Sequence, residues 1–202
     1  MHTLLAATGN RHKLEEIRSI LAPCGLRILG AGDVGGLPEV VEDGATFRDN
    51  AIKKALAAAA AKALPVLADD SGLEVFCLGG RPGVLSARYA GKQGDDTANN
   101  RKLLADLAAA TDRRARFVCV IAVAFPDGRL AGTAEGEVRG RILDAPRGSN
   151  GFGYDPLFLP DGFSQSFAEL GGTVKNQLSH RGNALRQALA AGLFHALESS
   201  KA

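Results

Sequence analysis

The sequence predicts an α/β protein built around a mixed β-sheet. Apolar segments typical of strands alternate with helical segments over residues 2–76, in the order β-α-β-α-β. A nearly unbroken apolar run at 117–125 indicates a central strand that is covered on both faces. The turn at 126–128 then returns the chain into a further strand, and a last helix follows Ser179. With 202 residues and 46% hydrophobic content, the chain is expected to form one domain, 1–202.

The helices are predicted from apolar periodicity and from capping residues. The segment 11–22 places its apolar residues on one face. Thr46 with Asp49 resembles a capping box that opens an Ala-rich helix, which Pro65 must end. The other helices are predicted at 97–110 and from 179 onward, where leucines recur at every fourth position up to Leu197.

The strands are predicted from short apolar runs bounded by turn residues. These runs lie at 2–8, at 26–29, in LPVL directly before ADDSG, at 73–76, at 117–125 and at 129–139. The stretches 30–44 and 141–172 are rich in glycine and proline and are expected to be loops.

Composition excludes several classes of function. The 24 basic and 22 acidic residues leave a formal charge of +2 without a basic patch, so nucleic acid is not an expected partner. The chain lacks an apolar run of about 18 residues and a signal-peptide pattern, which predicts a cytoplasmic protein without a membrane segment. The three cysteines are widely separated and lack CxxC spacing, so buried thiols are expected rather than disulfides or a zinc site.

The segment ADDSG at 68–72 contains two adjacent carboxylates at the predicted end of a buried strand. Asp69 and Asp70 would repel each other there unless a cation compensates them. A divalent cation such as Mg²⁺ suits this position, because it takes oxygen ligands from one or two carboxylates and from substrate phosphates. The alternative is that one aspartate caps a turn while the other forms a salt bridge.

Two further segments carry polar groups that suit a phosphorylated ligand. Thr8, Gly9, Asn10 and Lys13 lie where a strand meets a helix N-terminus, which favours an anion, although a simple helix cap explains Asn10 equally well. Lys54 lies on the second predicted helix, where a solvent-facing lysine is the usual interpretation.

Two later segments are candidates for contacts with a nucleobase. Phe152 stands between two glycines, where an aromatic ring can lie flat on a base, although loop phenylalanines also pack into cores. The segment SHRG at 179–182 places a hydroxyl, an imidazole and a guanidinium together at a helix start, where they can bind the polar edge of a base or simply cap the helix. Together these groups suit a nucleoside triphosphate.

Six motifs of the sequence resemble the inosine triphosphate pyrophosphatases, also called Ham1-like proteins. They occur in family order over nearly the whole chain and are TGNRHK at 8–13, TFRDNAIKKA at 46–55, ADDSG at 68–72, GGRPGVLSARYAG at 79–91, GFGYDP at 151–156 and SHRGNAL at 179–185. The resemblance implies an elongated α/β fold of two lobes with an active-site cleft between them, and a homodimer. It also implies Mg²⁺-dependent hydrolysis of ITP, dITP and XTP to the monophosphate and pyrophosphate, which removes these nucleotides from the pool.

The resemblance also implies a role for each matching residue. The residues expected to bind phosphates are Thr8, Gly9, Asn10, Arg11, His12, Lys13 and Lys54. Glu42 and Asp70 are expected to hold the metal with Asp69 as a further carboxylate, and Asp70 is the expected proton acceptor. The residues expected to contact the rest of the substrate are Ser71, Phe152, Gly153, Tyr154, Asp155, Lys175, His180 and Arg181. Because Asp43 follows Glu42 directly, either carboxylate of this loop is a candidate ligand.

Two rival functions remain at this point. One is a pyrophosphatase for another nucleotide class, such as dTTP or UTP, as in Maf-like proteins. The other is a nucleotide-binding sensor without catalysis, which would have no need of the full carboxylate set.

Overall fold

A computed structural model describes residues 2–195, which form a mixed β-sheet with flanking helices and so confirm the predicted fold class. The strands of this range are β1 (His2–Ala6), β2 (Leu26–Leu29), β3 (Val66–Val75), β4 (Arg114–Ala124), β5 (Leu130–Ile142) and β6 (Phe158–Pro160). The α-helices are α1 (Arg11–Leu21), α2 (Phe47–Lys62), α3 (Asp96–Asp106), α4 (Gly172–Leu178) and α5 (His180–Ala190).

The sheet is parallel at one end and antiparallel at the other. Its strands lie in the order β2-β1-β3-β4-β5-β6. β1 pairs in parallel with both β2 and β3, with Leu4 opposite Ile28 and Leu5 opposite Val66. β5 and β6 pair in antiparallel register. Helices α1 and α2 supply the crossovers that the parallel strands require.

The chain divides into two compact units. Within the described range, the first unit comprises residues 2–70, 119–136 and 181–195, and the second comprises 71–118 and 137–180. The expectation of a single domain over 1–202 stays a prediction.

The core of the first unit lies between its strands and the helices α1 and α5. Leu4, Leu67 and Ile121 of three adjacent strands are fully buried, and Ile17 of α1 and Leu185 of α5 are buried in the same cluster. This burial explains why the apolar positions of both helices follow one face.

The core of the second unit contains a cluster of aromatic rings. The Phe117 ring centroid lies 4.7 Å from that of Phe158, which in turn lies 5.1 Å from that of Phe167. Tyr154 and Leu73 are buried in the same cluster. Tilted rings at these distances add to the stability that the burial of their area provides.

Helix α2 is defined by its caps, as predicted. The Thr46 hydroxyl accepts a hydrogen bond from the Asp49 amide at 3.1 Å and donates one to the Asp49 carboxylate at 2.7 Å. The helix ends at Lys62, and Ala63 adopts a left-handed conformation with φ of 51°. One face of α2 is lined by small buried side chains, those of Ala51, Ala55, Ala58 and Ala59.

Several expectations about local structure were wrong. The predicted end of a strand at ADDSG does not exist, because β3 continues through it to Val75. Helix α4 was not predicted, because it begins at Gly172, where the expected loop ends. The last helix ends at Ala190, and Leu197 lies outside the described residues. Cys24 and Cys77 are exposed rather than buried, although all three cysteines are free as expected. Among residues 2–195, no helix is both long and apolar enough to cross a membrane.

Candidate active site

The candidate site of the first unit is organised by two adjacent carboxylates of β3. Asp69 and Asp70 are 2% and 6% exposed. Because neighbouring side chains on a strand point to opposite faces of the sheet, the two carboxylates meet different helices. Asp69 bonds to Lys13 of α1 and Arg181 of α5, whereas Asp70 bonds to Asn50 and Lys54 of α2.

Asp69 is the centre of a buried ion-pair cluster. Its Oδ2 lies 3.0 Å from Lys13 Nζ and 3.0 Å from an Arg181 terminal nitrogen, and Arg181 also pairs with Glu16 of α1. Burial alone would raise the pKa of Asp69, but the charges of Lys13 and Arg181 outweigh it and hold that pKa well below its usual range. Asp69 is therefore a carboxylate with a fixed negative charge near neutral pH.

Asp70 shares a lysine with a second carboxylate. Lys54 Nζ lies 2.9 Å from Asp70 Oδ1 and 3.4 Å from Glu42 Oε1, and Asn50 Nδ2 donates to Asp70 Oδ2 at 3.3 Å. Burial raises the pKa of Asp70, and the Lys54 ammonium offsets this rise only in part. Unlike Asp69, Asp70 thus has a pKa above its ordinary value.

The two neighbouring aspartates differ in the chemistry that they can perform. A carboxylate with a raised pKa is the better proton acceptor, whereas a carboxylate with a strongly lowered pKa serves as a fixed negative charge. Asp69 has a strongly lowered pKa, whereas Asp70 has a raised pKa. This difference favours Asp70 as the base and Asp69 as an anchor for Lys13 and Arg181.

The donor set around Lys54 suits a hard divalent cation. Glu42 and Asp70 point at one ammonium, so their carboxylate oxygens already surround a positive charge. Mg²⁺ requires only one or two carboxylates when substrate phosphates complete its coordination. Within residues 2–195, there is no group of three or more His, Cys, Asp or Glu side chains that could hold a metal ion. Asp43, the alternative loop carboxylate, instead lies 2.6 Å from Lys53 with its side chain 66% exposed.

Residues 8–13 form the start of α1. Asn10 caps the helix, and its Oδ1 accepts from the amides of His12 and Lys13 at 2.9 and 3.2 Å. Thr8 Oγ1 accepts from the Asn10 amide at 3.1 Å. The exposed side chain of Arg11 pairs with Glu15 one turn along. The structure therefore shows the helix cap that the sequence left as an alternative. The Lys13 ammonium forms an ion pair with Asp69.

The candidate site of the second unit is the glycine-flanked loop that carries Phe152. The Phe152 ring is half-buried, and Lys175 Nζ lies 4.9 Å from its centroid. The Asp155 carboxylate accepts from the Phe152 amide at 2.9 Å and from Lys175 at 2.6 Å. Gly151 has a φ of +78°, and a Cβ at this position would collide with the Asp155 carboxylate. The loop thus holds an aromatic ring and a buried ammonium side by side.

Three other predicted site residues of the second unit, His180, Tyr154 and Ser71, have different surroundings. The His180 ring stacks on Phe117 at 4.7 Å between centroids and 11° between planes. Tyr154 belongs to the core, and its hydroxyl donates to the Ser86 carbonyl at 2.9 Å. Ser71 lies on β3 directly after Asp70 and is half-buried.

Sequence reasoning missed Glu16 and Phe117 as partners of predicted site residues. Glu16 lies three residues after Lys13 on α1, a spacing that places both on one helix face and was available as a signal. Phe117 carried no local signal, because an apolar strand residue is indistinguishable from an ordinary core residue.

The fold and the buried carboxylates paired with lysines are typical of an α/β enzyme that acts on phosphorylated substrates. The model of the Ham1 family matches residues 4–191, and the chain belongs to this family. The resemblance seen in the six motifs is thereby confirmed.

Relatives and solved structures support this assignment over the length of the chain. A dITP/XTP pyrophosphatase of Desulforamulus reducens is 54% identical over 92% of this chain and 93% of its own, and one of Deinococcus radiodurans is 50% identical over 93% and 92%. The Ham1 protein of Staphylococcus aureus matches with a TM-score of 0.81 and 42% identity, covering 98% of this chain and all of its own. A HAM1 protein from Coxiella burnetii matches with a TM-score of 0.84 and 39% identity, covering 97% of this chain and all of its own.

The ion-pair cluster predicts that Asp69 contributes strongly to stability. Asp69→Asn would leave Lys13 and Arg181 with less compensation in a buried position, and removing one partner of such a group typically costs about 3–5 kcal/mol. We expect urea denaturation to show that the free energy of unfolding falls by about this amount.

Asp43→Asn is the matched control, because it makes the same exchange in the solvent-exposed pair with Lys53. It should leave the unfolding midpoint unchanged. Equal effects of the two exchanges would contradict the anchoring role of Asp69.

Proposed function

We propose that this chain hydrolyses dITP, ITP and XTP to the nucleoside monophosphate and pyrophosphate. The observation that carries the proposal is the convergence of Asp70 and Glu42 on Lys54 in a member of the Ham1 family. Relatives with about half of their residues identical to this chain are named dITP/XTP pyrophosphatases. Removal of such nucleotides from the pool is the corresponding physiological role.

Asp70 is the residue proposed to activate the attacking water. Its raised pKa and its position beside Lys54 suit a carboxylate that orients the water and accepts its proton. The water oxygen then forms a bond to the α-phosphorus, and the bond from this phosphorus to the bridging oxygen breaks. The positive charges of Lys13 and Lys54 favour the departure of pyrophosphate, because they stabilise the charge that develops on it.

Glu42 and Asp70 are the residues proposed to hold Mg²⁺. A bound Mg²⁺ would polarise the phosphate oxygens and neutralise part of their charge. Asp69, whose contacts are with Lys13 and Arg181, serves this site indirectly by fixing the position of Lys13.

The second unit is proposed to bind the base. Phe152 stacks on the purine, and Lys175 and His180 contact its polar edge, as the resemblance implies. Arg181 lies in the first unit, where it pairs with Asp69 and Glu16, and is not part of this proposal. The contacts of Lys175 with Asp155 and of His180 with Phe117 support this role, because they fix both side chains before a ligand arrives. The predicted homodimer and cytoplasmic location belong to the same proposal.

Pyrophosphate release from dITP, XTP, dATP, dGTP and dTTP tests the substrate class directly. We expect dITP and XTP to be turned over at least ~10²-fold faster than dATP, because donors that bind a 6-oxo group face a donor in adenine. Excess EDTA should abolish the reaction. Preference for dTTP would instead indicate a pyrophosphatase of another nucleotide class, and binding of dITP without turnover would indicate a sensor.

Asp70→Asn tests the assignment of the base. The exchange keeps the size of the side chain but removes the proton acceptor, so kcat for dITP should fall by about 10²- to 10⁴-fold. Circular dichroism checks that the variant is folded. Turnover close to that of the unaltered chain would exclude Asp70 as the base.

Glu42→Gln and Asp43→Asn distinguish the two candidate loop ligands. Glu42 lies beside Lys54 and Asp70, whereas Asp43 pairs with Lys53 at the surface. In a Mg²⁺ titration of dITP hydrolysis, we expect only Glu42→Gln to raise the concentration needed for half-maximal rate. The opposite result would assign the metal to Asp43.

A further inference from the structure

The loop that carries Phe152 is held by side chains near the start of helix α3. Gly153, the next residue, donates its amide to Asp96 Oδ2 at 2.7 Å and accepts from Asn100 Nδ2 at 2.9 Å through its carbonyl. Both backbone groups of one residue are thus bound by two side chains of one helix. Asp96 and Asn100 are four residues apart, a spacing that places them on the same helix face.

These two side chains are free for this purpose because another residue caps the helix. Asp95 occupies the cap position, and its Oδ1 accepts from the Ala98 amide at 3.0 Å. Asp96 therefore makes no cap bond and reaches outward to Gly153. The neighbouring Asn99 holds a different segment through the Ala90 amide at 2.8 Å, so the helix start contacts two separate loops.

The chemistry of the two bonds defines which groups are required. The Gly153 carbonyl can only accept, so the amide nitrogen of Asn100 must face it. The Gly153 amide can only donate, so any carboxylate or amide oxygen at position 96 satisfies it. Gly153 has a φ of +61°, a conformation that side chains other than that of glycine rarely adopt.

We propose that Asp96 and Asn100 are positioning residues that hold the Phe152 ring in place for the base of the substrate. Phe152 is bound to Asp155 on one side through its own amide, and Gly153 is bound to α3 on the other. The loop is therefore preorganised from both sides, and the entropy of ordering the ring is lost on folding rather than on binding. The inference rests on the proposed function, because it takes the group that stacks on the Phe152 ring to be the base of the substrate.

The isosteric exchange Asn100→Asp is the sharpest test. It replaces the donor that faces the Gly153 carbonyl with a carboxylate, which repels it. We expect the KM for dITP to rise about tenfold or more, with kcat changed less than about twofold, because stacking on a base remote from the phosphates contributes binding rather than chemistry. The ratio of kcat/KM for dITP over dATP should remain unchanged, since stacking does not discriminate between exocyclic groups.

Asp96→Asn is the matched conservative variant, because its amide oxygen still accepts from Gly153. It should behave like the unaltered chain, whereas Asp96→Ala should raise KM as Asn100→Asp does. Asn100→Ala removes the donor without introducing repulsion and gives the same readouts if Asn100→Asp fails to fold. A fall in kcat at constant KM, or equal effects of Asp96→Asn and Asp96→Ala, would overturn the proposal.

A second readout does not depend on activity. The chain contains no tryptophan, so Phe152→Trp introduces a single tryptophan in the loop, whose emission can be excited selectively at about 295 nm, where the two tyrosines absorb little. Adding Asn100→Asp to this variant should shift the emission to longer wavelength and increase quenching by acrylamide, because the ring is released into water. Adding Asp96→Asn should change neither.

The two measurements separate the inference from the proposed function. If the unaltered chain fails to hydrolyse dITP, the proposed function is wrong, and the tryptophan signal still decides whether α3 holds the loop. If dITP is hydrolysed but Asn100→Asp changes neither KM nor the emission, the positioning role is wrong and the proposed function stands.

Discussion

The burial of two adjacent carboxylates on β3 is the constraint on which the first unit depends. A buried carboxylate is costly unless cations or hydrogen-bond donors compensate it, and the alternation of a strand sends Asp69 and Asp70 to opposite faces. Each face must therefore supply its own cation. Lys13 and Arg181 meet this requirement on one face and Lys54 meets it on the other, so the electrostatic demand of two residues fixes where α1, α2 and α5 present their charges.

The same alternation places two chemically identical residues in different electrostatic environments. Asp69 is surrounded by permanent cations and is a fixed charge, whereas Asp70 shares one lysine with Glu42 and retains a raised pKa. Structural ion pairing and proton transfer require opposite shifts in pKa, and one strand provides both environments in consecutive positions. The Lys54 ammonium between Asp70 and Glu42 shows that this position accommodates positive charge.

In the second unit, the corresponding constraint is the placement of the Phe152 ring on a loop. Glycine-flanked loops are intrinsically mobile, and an aromatic side chain on such a loop binds weakly unless its backbone is ordered. Here Asp155, Asp96 and Asn100 bind the amides and the carbonyl on either side of the ring. Lys175 and His180 are fixed in turn by Asp155 and by the face of Phe117.

The sequence by itself determined the fold class, most helices and strands, the cap at Thr46 and the family, because periodicity, capping and motifs are local patterns. It also identified Asp69, Asp70 and the loop that carries Phe152 as candidate parts of a functional site. Only the tertiary structure decided that β3 continues through ADDSG, that Asp69 and Asp70 have separate partners, and that α3 holds Gly153. These contacts join residues far apart in sequence, as between Asp69 and Arg181 at a separation of 112, so no local pattern encodes them.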